Sequence, residues 1–205
     1  GIPNKFSAFR YALEQYPELR GRVTLVQYVV PSREDVPEYQ NLRTRLERMV
    51  GAINGDLSES GWVPIHYHYD SLDRDALCAW YRMAEVCLVT SLKDGMNLVS
   101  KEYCAAQVDR RGVLVLSEFA GSADELGDGA LVVNPYNVEQ TAEAIRTACA
   151  MPVEERARRM ERLRDQVREH NVFRWVDDFV GALRDAGAPK AGGGAVPAPL
   201  VSLER

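Results

Sequence analysis

Two hydrophobic patterns alternate along most of this chain. Short runs that are almost continuously apolar and rich in Val and Leu are typical of strands buried inside a parallel sheet. Longer segments with apolar residues at steps of three and four are typical of amphipathic helices. The predicted strands are 23–30, 63–67, 86–90, 113–117 and 130–133. The predicted helices are an opening segment up to about residue 16 and the segments 71–84, 97–107, 138–150, 153–168 and 172–185, with a shorter turn of helix within 119–129.

A further helix is predicted after the first strand. Asp35 and Glu38 have the spacing of a capping box, in which two side chains satisfy backbone N–H groups at a helix start. Apolar residues over 39–53 then supply a core face. We expect Asn54-Gly55 to close this helix, because both residues favour helix ends.

The alternation of strand and helix implies right-handed crossovers between parallel strands. We therefore expect an α/β fold over residues 1–185, with a Rossmann-like parallel sheet, helices on both of its faces and helices that close the domain. Residues 186–205 are rich in Ala, Gly and Pro and are expected to form a flexible tail. Ligands of such sheets bind outside the carboxyl ends of the strands. The loops at that edge are 31–36, 68–73, 91–97 and 118–123.

The composition is that of an ordinary globular protein. The 205 residues are 46% hydrophobic with a formal net charge of −5, which does not favour nucleic acid or an anionic membrane as a partner. No apolar run approaches the roughly 20 residues that span a bilayer, and no signal peptide opens the chain, so we expect a cytoplasmic protein. The four cysteines form no C-x-x-C pair and no His lies at metal-ligand spacing from them. We therefore expect reduced core thiols and no metal site.

The loop with the sequence DGMN at 94–97 suggests an anion site. Gly95 would let the backbone approach a ligand closely, and free N–H groups would point at that ligand from the start of the next helix, where the helix dipole is positive. These N–H groups belong to Met96, Asn97, Leu98 and Val99. The site would suit a diphosphate and has no Walker lysine. A simple helix cap by Asp94 and Asn97 is the alternative, and spacing alone does not distinguish the two.

Three charged side chains lie near the same edge of the predicted sheet. Asp94 could bind sugar hydroxyls, and Glu102 could bind the hydroxyls of a ribose. The alternative is that both are solvated surface carboxylates with no binding role. Arg33 follows the first strand, where a guanidinium suits a phosphate, and a surface arginine paired with a neighbouring acid is its alternative. The absence of G-x-G-x-x-G, G-x-x-x-x-G-K-[ST] and G-x-S-x-G motifs disfavours a nicotinamide dehydrogenase, a P-loop NTPase and an α/β-hydrolase.

The stretches VPSREDVPEY, INGDL, VPIHYHYDSL, LVTSLKDGMNLVSKEYCAAQ, VLVLSEFAG and LVVNPYN together resemble the trehalose-6-phosphate synthase family. The members are retaining glycosyltransferases with the two-domain GT-B fold. The resemblance runs from Gly1 to about Arg184 and covers only the carboxyl-terminal, nucleotide-sugar-binding half. The amino-terminal domain of the family, which supplies much of the acceptor pocket, is not in this chain. The resemblance also places an arginine and a lysine that bind the donor phosphate just before the residue that is Gly1 here. If the natural chain begins at Gly1, these two charges and the first strand of the sheet are missing, and we expect this half alone to be inactive or nearly so.

The resemblance also implies a role for each candidate residue. The donor glucose would be held by Asp94, the candidate catalytic residue, and by the backbone at Gly95, Met96 and Asn97. The diphosphate would meet the amides near Leu98 and Val99, the ribose would bind Glu102, and the base would lie on the backbone around Leu72. Arg33 matches the arginine that contacts the phosphate of the acceptor sugar. Transfer would need no protein nucleophile, cofactor or metal, because the leaving diphosphate takes the proton of the acceptor. Ser91, Ser100 and Asp70 depart from the family pattern.

The function that this resemblance implies is that of an α,α-trehalose-phosphate synthase. The substrates would be UDP-glucose, or another nucleotide-glucose, and glucose 6-phosphate. Glucosylglycerol-phosphate synthase is the nearest alternative, since the acceptor pocket decides between them. A non-catalytic nucleotide-sugar-binding module is the alternative from another class. A homo-oligomer is compatible with the sequence, which does not fix the oligomeric state.

Overall fold

The computed structural model describes residues 1–32 and 34–187, as a body formed by residues 1–168 and a second unit that begins at Glu169. The strands are β1 Leu25–Tyr28, β2 Ile65–His68, β3 Val86–Val89, β4 Val113–Ser117 and β5 Leu131–Val133. The helices are α1 Ile2–Gln15, α2 Pro37–Leu57, α3 Arg74–Met83, α4 Leu98–Ala106, α5 Ala123–Leu126, α6 Val138–Ala150, α7 Val153–Glu169 and α8 Val172–Gly187. The predicted order of strands and helices is confirmed.

All strand pairs are parallel, which confirms the predicted fold class. β1 pairs with β2, and β4 lies between β3 and β5. Within residues 1–32 and 34–187 no ladder joins β1 to β3, so the strands form two sheets where one was predicted. The hydrophobic layer is nevertheless continuous, because the cluster around Phe6 and Leu13 of α1 includes Leu25 of β1 and Leu88 of β3. Two strands can pack on the same helix even when they are too far apart to form backbone hydrogen bonds with each other.

Strand β4 is the centre of the three-stranded sheet. All five of its residues are buried. A strand with neighbours at both edges and helices on both faces has no side exposed to water, which requires a continuous apolar run. The sequence VLVLS meets that requirement, and its polar last residue, Ser117, lies at the carboxyl end of the strand.

Helix α2 differs from its predicted limits at both ends. Its N-cap is Val36, which makes no side-chain capping bond, so the predicted capping box of Asp35 and Glu38 is wrong. The helix also continues past Asn54 to Leu57. Asn54 does not end the helix because its side chain is engaged elsewhere: its amide group exchanges two hydrogen bonds of 2.9 Å with the backbone of Ile65 at the start of β2.

The cysteines and the carboxyl-terminal helix also refine the predictions. Cys104 is buried and Cys87 and Cys149 are half-buried, whereas Cys78 is exposed on α3 and is not a core thiol. Burial raises the pKa of the Cys87 and Cys104 thiols to about 12.

Helix α8 includes the first two residues of the predicted tail, and 188–205 lie outside the described residues. No helix in the described parts of the chain is long and apolar enough to cross a membrane.

A polar cluster ties the end of α1 to α6. The Tyr16 hydroxyl donates to the Glu143 carboxylate at 2.8 Å, and the Arg146 guanidinium pairs with the same carboxylate. The guanidinium of Arg146 also lies 5.1 Å from the centre of the Tyr16 ring. The hydrogen bonds from Arg146 and Tyr16 lower the pKa of Glu143 from 4.5 to about 2.

Replacing Glu143 with Gln should lower Tm at neutral pH, because the variant keeps an acceptor but loses the charge. A carboxyl group whose pKa is lower in the folded state contributes stability above its unfolded pKa, and that contribution is lost as pH falls through the folded value. The Tm difference between wild type and Glu143→Gln should therefore shrink between pH 6 and pH 3. Thermal unfolding followed by circular dichroism measures it. A difference that is constant over this pH range would contradict the assigned ion pair.

Candidate functional site

The candidate site is built around the loop between β3 and α4. This loop leaves the carboxyl end of β3, as expected for a ligand site in a parallel sheet. Its backbone is paired with the loop that follows β4: Asp94 N–H donates to the Phe119 carbonyl at 3.2 Å, and Gly121 N–H donates to the Asp94 carbonyl at 2.9 Å. Two neighbouring loops at the strand ends are therefore held as one rigid rim.

The carboxylate of Asp94 is turned back onto its own loop. Oδ1 accepts the N–H groups of Met96 and Asn97 at 3.1 and 3.0 Å, and Oδ2 accepts Nδ2 of Asn97 at 2.9 Å. Partial burial opposes ionisation, but these hydrogen bonds, with one from Ser91, hold the pKa of Asp94 below its ordinary value. The prediction that Met96 and Asn97 offer free N–H groups is wrong, because the nearby carboxylate already occupies both.

Asn97 forms the start of helix α4. It has a positive φ of 68°, which Asn adopts more readily than most residues. Its Oδ1 accepts the N–H of Ser100 at 2.9 Å, so the predicted cap is present. Within the described residues, the N–H groups of Leu98 and Val99 have no protein acceptor, and both residues are exposed. The start of α4 therefore combines a capped N–H group with two available donors.

Buried serines support this loop from below. Ser117, at the end of β4, donates to the Ser91 carbonyl at 2.6 Å and accepts the N–H of Phe119 at 3.1 Å. Ser100 donates to the Asn97 carbonyl at 2.8 Å, and its hydroxyl lies 2.9 Å from that of Ser122. The contacts of Ser117 with Ser91 and of Ser100 with Ser122 were not predicted, since each joins segments more than twenty residues apart. The polar residue that closes the apolar run VLVLS was the available signal.

Gly121 is a second feature that sequence reasoning missed. A Cβ atom at this position would overlap the carbonyl oxygen of Gly95. The two loops can therefore approach each other only because residue 121 has no side chain. A glycine four residues after the last residue of a buried strand, in the segment SEFAG, was the signal that could have identified it.

Glu102 lies one turn into α4 and is exposed. Its Oε2 accepts the hydroxyl of Tyr81 on α3 at 3.1 Å. Burial, and then the charge of Glu102, raise the pKa of Tyr81. Glu102 is thus held by a neighbouring helix, and its other carboxylate oxygen has no partner among the described residues. Tyr81 was not predicted to be part of this site.

The remaining predicted site residues lie nearer to β1 and β2. Leu72 directly precedes Asp73, whose carboxylate caps α3 by accepting the Ala76 N–H at 2.8 Å. Tyr81, near the end of α3, joins this helix to Glu102 of α4. Arg33 lies outside the described residues. Glu34, the next residue, lines a surface cavity of about 430 Å³. The residues that line this cavity are Glu34, Tyr39, Gln40, Arg43, Thr44, Glu47 and Tyr69.

The model of Glycosyltransferase family 20 matches residues 1–185. This chain belongs to glycosyltransferase family 20. It is 47% identical over 186 residues to a probable α,α-trehalose-phosphate synthase [UDP-forming] 3 of Arabidopsis thaliana, covering 91% of this chain and 24% of the relative. The resemblance described above is therefore confirmed.

Solved structures of the family superpose well on this chain. One is a structure from E. coli described as trehalose-6-phosphate bound with UDP-2-fluoro glucose. Its TM-score is 0.86 at 42% identity, and the match covers 90% of this chain and 41% of the E. coli chain. Another is an α,α-trehalose-phosphate synthase (UDP-forming) from Burkholderia xenovorans in complex with glucose-6-phosphate. Its TM-score is 0.84 at 45% identity, and the match covers 88% of this chain and 40% of the Burkholderia chain. The chain thus spans less than half the length of these proteins, and its fold matches the GT-B fold of the family.

Replacing Gly121 with Ala should push the two loops apart. We expect the free energy of unfolding to fall by about 1–3 kcal/mol, as for an overpacked site, with changes in the NMR signals of 94–97. Gly51→Ala is the matched control: it lies in α2 with no atom within 4 Å of the added Cβ, and it should stabilise by about 0.5–1 kcal/mol. Urea unfolding measures both. Equal effects at the two positions would contradict the close approach of the loops.

Proposed function

We propose that this chain is the donor-binding half of an α,α-trehalose-phosphate synthase. The complete enzyme would transfer glucose, with retention of configuration, from UDP-glucose to glucose 6-phosphate. The observation that supports this most strongly is the start of α4, at the carboxyl end of β3, where the N–H groups of two exposed residues have no acceptor among the described residues. It lies in a chain whose relatives bear the name UDP-forming trehalose-phosphate synthase.

The diphosphate of the donor would bind at the N–H groups of Leu98 and Val99. Both groups lie in the first turn of a helix, where the dipole gives a partial positive charge and favours an anion. The N–H of Ser100 is already capped by Asn97. Leu98 and Val99 are therefore the two donors of this turn that a phosphate oxygen could use.

The sugars and the base of the donor would lie on either side of that turn. Glu102 would accept the ribose hydroxyls through the carboxylate oxygen that does not bind Tyr81. The donor glucose would bind the Asp94 carboxylate and the backbone of Gly95, Met96 and Asn97. Because Asp94 already occupies the N–H groups of Met96 and Asn97, their contribution would be the shape of the loop. The base would lie on the backbone around Leu72.

The reaction would proceed without a protein nucleophile. The bond between the glucose C1 and the diphosphate oxygen breaks, and the acceptor hydroxyl forms a bond to C1 on the same face while its proton passes to the leaving phosphate oxygen. The protein would contribute positioning and stabilisation of the charge that develops on the diphosphate. Neither a metal nor a cofactor is needed for this scheme.

The acceptor pocket would be completed by an amino-terminal domain of the same enzyme. This chain covers 24% of its Arabidopsis relative and 40% of the structure in complex with glucose-6-phosphate. Arg33 would contact the phosphate of the acceptor, as the family resemblance implies. The half described here would then bind the donor but transfer glucose only when joined to that domain.

Calorimetry with UDP-glucose and UDP tests the donor site. Glu102→Ala should weaken binding of both by about 1–3 kcal/mol, the usual cost of leaving polar groups unpaired. Glu154→Ala is the control, since Glu154 lies in the first turn of α7 and should leave affinity unchanged. If the wild-type chain binds neither nucleotide, or if Glu102→Ala binds as well as wild type, the assigned donor site is wrong.

Activity of the full-length protein, with its own amino-terminal domain, tests the acceptor. Glucose 6-phosphate should be glucosylated in preference to glycerol 3-phosphate, and Arg33→Ala should raise KM for glucose 6-phosphate about tenfold or more, as expected for loss of a charged hydrogen bond. The exposed Arg111, changed to Ala, is the control. Transfer only to glycerol 3-phosphate would indicate the glucosylglycerol-phosphate enzyme. Donor binding without transfer to either would indicate a non-catalytic module.

A further inference from the structure

Ser91, which precedes the candidate loop, contacts the two residues that shape it. The Nδ2 group of Asn97 donates to Oγ of Ser91 at 3.2 Å and to Oδ2 of Asp94 at 2.9 Å. The Nδ2 group is thus shared between the Ser91 hydroxyl and the Asp94 carboxylate. Three side chains, joined through this one amide group, therefore form a polar triangle, and one corner of it is the carboxylate that would meet the donor glucose.

The triangle is anchored to the sheet. The carbonyl of Ser91 accepts the hydroxyl of Ser117 at 2.6 Å, and Ser117 is completely buried at the end of β4. Asn97 is 8% exposed. The backbone of Ser91 and the buried side chain of Asn97 are thus held by the fold before any ligand arrives, and this limits rotation of the Asp94 carboxylate.

Helix capping does not account for these contacts. A cap requires only that the Oδ1 atom of Asn97 accepts the Ser100 N–H. The Nδ2 group contributes nothing to the cap, and Ser91 lies outside the helix altogether. The Nδ2 group bridges the Ser91 hydroxyl and the Asp94 carboxylate, so the arrangement orients that carboxylate as well as starting the helix.

We infer that Ser91 and the side-chain amide of Asn97 are positioning residues that hold the Asp94 carboxylate in the orientation in which it receives the donor glucose. This inference rests on the proposed function, because it assigns the glucose to Asp94. Ser91 acts only through Asp94 and touches no substrate. Its contribution should therefore be seen with ligands that carry the glucose and not with those that lack it.

The first experiment needs no ligand. Titration of the Asp94 carboxyl carbon by NMR should give a midpoint below the ordinary value in the wild type and a higher midpoint in Ser91→Ala. Ser91→Thr keeps the hydroxyl and should restore the wild-type midpoint. Thr141→Val, which removes another buried hydroxyl far along the chain on α6, should lower Tm without moving the midpoint. An unchanged midpoint in Ser91→Ala overturns the inference.

The second experiment compares UDP-glucose with UDP. Ser91→Ala should weaken UDP-glucose binding about 3- to 10-fold, the range expected for one lost hydrogen bond, and leave UDP affinity unchanged, with Ser91→Thr again restoring it. Equal losses for both nucleotides would assign Ser91 a merely structural role and overturn the inference. If the wild-type chain binds neither nucleotide, the proposed function fails, whereas the NMR titration still decides whether Ser91 holds Asp94.

Discussion

The backbone of Asp94 is hydrogen-bonded to the loop that follows β4, and the rest of the candidate site depends on this pairing. The pairing fixes the height of the loop above the sheet and thereby the direction in which α4 begins. It is possible only because Gly121 presents no side chain to Gly95. The rigidity of the site thus comes from two strand-end loops that are joined edge to edge, and from the buried strand β4 that carries one of them.

The hydrogen bonds at the start of α4 show which N–H groups fix the conformation of the loop and which remain available to an anion. The local sequence alone does not distinguish these two roles. A helix start leaves several N–H groups without partners. In this chain some are satisfied internally, by Asp94 and Asn97, and these bonds give the loop a single conformation. The remaining two, at Leu98 and Val99, stay available. Preorganised donors of this kind cost little to align when an anion binds, which is the basis of electrostatic stabilisation in transferases.

Local patterns were sufficient to predict the elements of the fold. Continuous apolar runs gave all five strands, and the rule that ligands bind at the carboxyl ends of parallel strands identified the loop at 91–97. The errors have local causes as well. The capping box failed because Val36 is the N-cap, and Asn54 did not end its helix because its side chain pairs with the backbone of β2.

The features that were missed involve partners distant in sequence. The approach of Gly121 to Gly95, the bond from Ser117 to Ser91 and the bond from Tyr81 to Glu102 each join separate elements. No periodicity within one segment reports such a contact. A single sheet was predicted because hydrophobic runs reveal which strands are buried but not which edges are hydrogen-bonded.

The docking of α1 against α6 has a consequence for how this chain reaches its folded state. Asn4 and Tyr16 bind groups that lie 131 and 127 residues further along. A ribosome that adds roughly 5–20 residues per second needs on the order of ten seconds to cover that distance. The apolar face of α1 therefore lacks its partner helix α6 while the intervening strands emerge. Chaperones that shield nascent hydrophobic surface would find a target on α1 during that interval.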